Sequence, residues 1–217
     1  MIFFDSNLDG TISSPQSKHL ITCRVKKDDI IFLSNFKGQK VKAQITLLDK
    51  VKNQYQYSIL EQNKRDNPPE KILFQSLISK NYLEKLVEII PIIGITKVYF
   101  FNSDFSPKQK ISMERLQSIL IRSHEQSENL FLAEIKIIEK YELNNLLNQY
   151  KPVILDQLLG KNVHNTVPSK AILVGPEGGF SPQEIMEFLK LDPDFINLGD
   201  KVLPAWLAGY TYFATTI

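Results

Sequence analysis

One stretch limits the possible folds of this chain more than any other: residues 171–189, AILVGPEGGFSPQEIMEFL. Four apolar residues make a buried strand, the chain turns through Gly175, Pro176, Glu177, Gly178 and Gly179, and a helix opens at once. The helix start is well marked. Ser181 can cap it, Pro182 suits the first helical position, and Glu184 completes a capping box with Ser181. The two glycines after Glu177 permit positive φ and let backbone amides approach a ligand at the carboxyl end of a strand, where open α/β sheets place their sites. A tight strand-to-helix turn without a ligand would use the same residues. The turn is not a phosphate loop, since no GK[ST] follows, and not a dinucleotide fingerprint, since GxGxxG is absent.

Beyond residue 70 the chain repeats this alternation. The apolar run 72–78 precedes Leu83, Leu86, Val87 and Ile90, which fall at helical spacing. A strand is expected at 97–101, then a longer helix with Leu116, Ile119 and Leu120 on one face. A strand-like run at 130–138, a helix near 141–149 and an apolar run at 152–155 follow. A last strand is expected at 195–198, with a helix on either side of it. Such alternation predicts an α/β domain with a mainly parallel sheet. Residues 1–60 differ, with short β-branched and aromatic segments at 29–33, 41–47 and 55–60 between polar turns, which predicts a small β-rich domain. Residues 61–70, EQNKRDNPPE, are polar and end near Pro68 and Pro69, which disfavour helix and central strand. The division is therefore placed between domains 1–66 and 67–217.

Composition narrows the function classes. With 217 residues, 43% hydrophobic and 23% charged, the chain reads as a soluble globular protein of one large or two small domains. Its net charge is only +2, so affinity for nucleic acid has to come from local clusters. Lys18, Arg24, Lys26, Lys27, Lys37, Lys40 and Lys42, with Phe32 and Phe36 among them, form the basic stretch. It suits RNA contacts by a small β-rich domain and equally suits a solvated face. The lone Cys23 excludes an internal disulfide and a CxxC site. Asp5 and Asp9 interrupt what a signal peptide would need, and the most apolar stretch, 86–95, carries Glu88 and Pro91 and falls short of the ~20 residues of a membrane span. A cytoplasmic protein with no membrane partner is expected. His19, His124 and His164 lack metal-ligand spacing, so no metal is expected either.

The segment GPEGGFSPQEI, at 175–185, resembles the GPEGG(F/L)S..E motif of the small-subunit ribosomal RNA uridine N3-methyltransferases, members of the SPOUT class. The likeness extends along the chain. His19, Leu20 and Arg24 resemble the H-L...LR segment of that family's N-terminal domain, and Lys80 is similar to the lysine after its first strand. Glu125-Gln126-Ser127 is similar to its E-Q-S, and residues 198–203, LGDKVL, resemble its L-G-x-R-I-L. The resemblance implies a trefoil-knotted α/β domain behind a PUA-like β-barrel, S-adenosylmethionine as cofactor, 16S ribosomal RNA or the small ribosomal subunit as partner, and a homodimer paired through the C-terminal helix. It implies cofactor contacts at Leu155, at Leu173, Val174, Gly175, Pro176, Glu177 and Gly178, and at Leu198, Gly199, Val202 and Leu203. Leu155, Leu198 and Leu203 would serve equally as plain core. RNA contacts are expected at Arg24, Lys26, Lys27 and Lys80.

The chain departs from the family pattern where charge is wanted. The motif continues L-R-T-E-T-A, whereas residues 203–208 read LPAWLA, so Pro204 and Trp206 stand at the arginine and glutamate positions. Uridine N3 must lose a proton and attack the methyl group in line, which calls for a base and for a cation beside the developing negative charge. Lys201, aligned with the arginine of L-G-x-R, and Arg122 are the remaining candidate catalytic cations. Two readings follow from the resemblance: an rRNA uridine-N3 methyltransferase, or a catalytically impaired homologue that binds RNA or the ribosome.

Overall fold

The computed structural model describes residues 1–14, 16–49, 51–162 and 168–215. His164 lies outside them. The chain forms two compact units, one of Met1–Pro68 with Ile121–Leu132, the other of Pro69–Leu120 with Ala133–Ile217.

The first unit is built on a five-stranded sheet with β1 (Phe3–Phe4), β2 (Thr11–Ile12), β3 (Ile30–Ser34), β4 (Gln39–Asp49) and β5 (Gln54–Lys64), in the order β1-β3-β4-β5-β2. Only the β1–β3 pair is parallel. A short helix, α1 (Ser17–Thr22), precedes β3. Leu33, Val41, Ala43, Ile45 and Tyr55 fill its core. Strand β5 runs on through residues 61–64, which read as linker in the sequence, because β4 pairs with them and Lys42 bridges Glu61 at 3.0 Å. The segment Ile121–Leu132 joins this unit for identifiable reasons. The Ile2 amide donates to the Glu125 carbonyl at 3.0 Å, the Phe4 amide donates to the Glu125 carboxylate at 2.9 Å, and Leu130 packs with Ile2 and Phe36. His19 Nδ1 lies 2.8 Å from Glu125 Oε2. Burial pushes the Glu125 carboxyl up and the His124 imidazole down to about 4.

The second unit holds a seven-stranded sheet of β6 (Ile72–Ser76), β7 (Lys97–Phe101), β8 (Glu134–Ile138), β9 (Val153–Leu155), β10 (Lys161–Asn162), β11 (Ala171–Val174) and β12 (Phe195–Asn197). The order is β10-β12-β9-β11-β6-β7-β8 and every pair is parallel. Helices α2 (Lys80–Ile89), α3 (Met113–Ser127, of which residues 113–120 belong to this unit), α4 (Lys140–Tyr150), α5 (Pro182–Leu189) and α6 (Ala205–Thr215) connect and cover the strands. The sheet has a core on each face, as a parallel sheet requires. Leu73, Phe100, Ile172 and Val174 pack on one face with Leu86, Leu116 and Tyr212, while Ile72, Phe74, Tyr99 and Leu173 pack on the other with Leu143, Leu147 and Phe188.

The chain builds β6, β7 and β8 outward in sequence, then crosses to the far flank of β6. There β11 inserts between β6 and β9, and β12 returns to the outer side of β9. This reversal leaves the carboxyl ends of β9, β11 and β12 side by side, the kind of switch point at which open α/β sheets leave a crevice.

Candidate functional site

The three loops that leave β9, β11 and β12 line one cavity of about 320 Å3. That volume lies within the range of small-molecule sites, roughly 300–1,000 Å3. Leu155, Asp156, Gln157 and Leu158 come from the end of β9 and the first loop, residues 174–180 from the end of β11 and the second, and Ile196, Asn197, Leu198, Gly199, Lys201, Val202 and Leu203 from the end of β12 and the third. Ala205 and Ala208 of α6 close it.

Each loop is held by hydrogen bonds its sequence specifies. In the second, Ser181 caps α5: its hydroxyl accepts from the Glu184 amide at 3.2 Å, and the Ser181 amide donates to Glu184 Oε2 at 2.8 Å. Of its two adjacent glycines only Gly179 adopts positive φ, at 73°, so the turn itself needs glycine there and not at Gly178. The Gln75 side chain, wholly buried at the end of β6, donates from Nε2 to the Gly175 carbonyl at 3.2 Å and to the Ser76 carbonyl at 3.1 Å. In the first loop, Asp156 Oδ1 accepts from the amides of Leu158 and Leu159, both at 2.8 Å. Asn197 joins the first loop to the third, since its Nδ2 donates to the Gln157 carbonyl at 2.7 Å and its Oδ1 accepts from the Gly199 amide at 2.8 Å. Gly160 lies so close to β12 that a Cβ would sit 2.3 Å from the Asn197 amide nitrogen and 2.4 Å from the Asp156 carbonyl oxygen.

Ten of the eleven expected cofactor residues line this cavity. Leu173 is the correction. Strand side chains alternate, so with Val174 on the cavity side Leu173 points to the opposite face, where it packs in the core with Phe74 and Phe188. Lys201 lines the cavity, whereas Arg122 is exposed and belongs to the first unit. Arg24, Lys26 and Lys27 are exposed in the first unit after α1, and Lys80 opens α2 beside a separate cavity with Glu84 and Arg115. Trp206 is stacked on Tyr82 at 6.2 Å between ring centres, with Lys85 over both rings. The α6 face carrying Ala208, Tyr212 and Phe213 is buried in its own unit.

A model of the RNA methyltransferase domain matches residues 65–215. The chain belongs to that family. It is similar to ribosomal RNA small subunit methyltransferase E proteins, being 32% identical over 117 residues to one from Helicobacter pylori, with 52% of this chain and 51% of that protein covered. It thus spans about half the length of the Helicobacter pylori relatives it matches. Identity is 26% over 202 residues to a protein of the same description from Mesomycoplasma hyopneumoniae, covering 85% of this chain and 83% of the relative. Among solved structures, the Neisseria gonorrhoeae methyltransferase E bound to S-adenosylmethionine matches with a TM-score of 0.86 at 22% identity, over 99% of this chain and 95% of that one. A putative methyltransferase from Legionella pneumophila, also with its cofactor, gives 0.86 at 19%, over 99% and 96%. These likenesses extend over both units and fix the fold.

Sequence reading missed Gln75, Asp156 and Asn197. Their residue types carry no motif; Asp156 holds its own loop through amides two and three residues on, while only the pairing of distant strands brings Gln75 and Asn197 to the loops they hold. Among the described residues no group of three or more His, Cys, Asp or Glu could hold a metal, and no helix is long and apolar enough to cross a membrane.

Proposed function

We propose that this chain is an S-adenosylmethionine-dependent methyltransferase acting on N3 of a uridine in 16S ribosomal RNA of the small subunit. The observation that carries it is the convergence of the loops after β9, β11 and β12 on one cavity. The lining fits the cofactor's chemistry: leucine, valine and alanine side chains for an adenine face, and loop backbone groups for its polar edges. When bound, the cofactor supplies an electrophilic methyl group on a sulfonium. The protein's own part is to hold the base in line and to handle the N3 proton, and positioning alone supplies much of such a barrier. Lys201 is the cavity's ammonium and stands beside negative charge developing on the base, while Asp156 and Glu177 are the carboxylates that could accept the proton.

The same reading includes a PUA-like first domain that contacts RNA through Arg24, Lys26 and Lys27, with Lys80 as a further RNA contact. It includes a trefoil knot, as the resemblance implies, a homodimer and a cytoplasmic location. The half-buried Leu207 and Tyr210 are what α6 offers a second copy. A second reading, a homologue impaired in catalysis that binds RNA or the ribosome, is favoured by Pro204 and by Trp206, whose ring is engaged by Tyr82. Calorimetry with S-adenosylmethionine, followed by mass-spectrometric mapping of nucleosides in ribosomal RNA with and without the protein, separates the two. Binding with a new N3-methyluridine supports the enzyme. Binding without it supports the impaired homologue, and no binding at millimolar cofactor removes the cofactor assignment.

A further inference from the structure

Uridine N3 lies on the edge that pairs with adenine, so a base methylated there must be unpaired and held outside a helix. Proteins that capture such bases commonly stack them on an aromatic ring. Phe105 is a ring placed for that task. It stands in the loop after β7 and is 53% exposed. A Cβ on Gly178, which lines the cavity, would lie 3.4 Å from the Phe105 Cβ. Other rings nearby are engaged: Phe180 packs edge-on against Phe188 at 4.9 Å and Trp206 is stacked on Tyr82. Phe105 has no ring partner among the described residues.

The backbone that carries this ring is pinned on both sides. The Ser106 amide donates to the Ser103 carbonyl at 3.0 Å, and the Ser76 hydroxyl meets those of Ser103 at 2.6 Å and Ser106 at 2.8 Å. The Asp104 amide donates to Glu184 Oε1 at 3.1 Å, and the Ser181 hydroxyl donates to the Asp104 carboxylate. The capping box of α5 thus fixes the Gly178 loop and the Phe105 turn together. An apolar ring left in water gains little for folding, yet this one is held firmly beside the cavity.

We infer that Phe105 is a substrate-positioning residue, the platform on which the unpaired target base stacks. This inference rests on the function proposed above. The test uses the full chain, labelled S-adenosylmethionine and small-subunit ribosomal RNA lacking the modification. Phe105→Ala lowers kcat/KM for RNA by roughly tenfold to a hundredfold, the span that loss of one base–aromatic stack produces. Phe105→Trp restores most of it, and cofactor affinity by calorimetry stays within about twofold in both. Tyr141→Ala, which removes another exposed ring at the start of α4, leaves kcat/KM unchanged. Wild-type kcat/KM in Phe105→Ala overturns the inference and leaves the proposed function standing. Equal losses of kcat/KM and cofactor affinity also overturn it, since the ring would then only prop the Gly178 loop, as does an equal fall in Tyr141→Ala. A wild-type chain that binds the cofactor and methylates none of this RNA defeats the proposed function and this inference together.

Discussion

In the seven-stranded sheet, β6 and β11 are buried at every position, whereas in the five-stranded sheet β4 alternates along much of its length and β5 is exposed beyond Tyr57. The difference follows from what covers each sheet. Helices on both faces of a parallel sheet turn the positions of its inner strands into core, while a sheet with one open face tolerates polar residues at every second position. In β6 and β11 a substitution is therefore felt wherever it falls, and neighbouring residues serve opposite faces. In the open sheet the cost depends on which face the residue takes.

The largest effect expected is at Gly160, where the close approach to β12 is backbone against backbone. Gly160→Ala cannot be relieved by a side-chain shift, so a loss of about 4 kcal/mol or more is expected. Denaturant unfolding measures it, and cofactor binding should fail in the same protein because the first and third loops part. A mild loss would show that β12 moves freely, and would break the contrast. Next comes Leu173→Ala, expected to cost about 3 kcal/mol as a large-to-small change in a fully enclosed core, with cofactor affinity unchanged in the folded fraction. Its counterpart Ile59→Ala, on the open sheet, should stay within about 0.5 kcal/mol. Equal costs at the two positions would remove the distinction.

A further effect, smaller than those at Gly160 and Leu173, concerns the first unit, where a titratable group is enclosed. His124 has its imidazole held down at about 4 by burial, so between the ordinary value of 6.5 and that pH the unfolded chain binds a proton that the folded one does not. Stability present above that window is lost as pH falls through it. Glu125, raised by burial, works in the opposite direction, so the net loss is expected to be about 1–2 kcal/mol. Denaturation of wild type and His124→Gln at pH 7 and pH 5 checks the sign. The wild type should lose more, and equal losses would assign the acid sensitivity to other groups.

Much of the second unit was legible because its strands are continuous apolar runs and its helices keep a 3.6-residue period. β7 and β11 fall at the expected residues, 97–101 and 171–174. The first unit was less legible. Strands β1 and β2 have two residues each and show no period, and α1 has six residues with Leu20 as its buried apolar residue. The place of Ile121–Leu132 was hidden because its helical pattern continues from Met113 without a break. At the site, the glycine turn and cap were readable from local rules. The amides of Gln75 and Asn197 were not, because each acts through a backbone group far along the chain. Leu173 was misplaced for a simpler reason, since in an all-apolar run nothing marks which neighbour faces the cavity.

The placement of the cavity also has a consequence in time. Strand β6 is made early, but its neighbour β11, the central strand of the seven, lies about a hundred residues later, and the alanines that close the cavity are Ala205 and Ala208. Pairings so distant carry a loop-closure cost before they return anything, and chains rich in them fold slowly. During synthesis the unit can therefore collect β6, β7 and β8 while its ligand site does not yet exist. A nascent chain halted before residue 205 would lack the wall that α6 supplies, so the appearance of cofactor affinity would serve as a clock for the last step of folding.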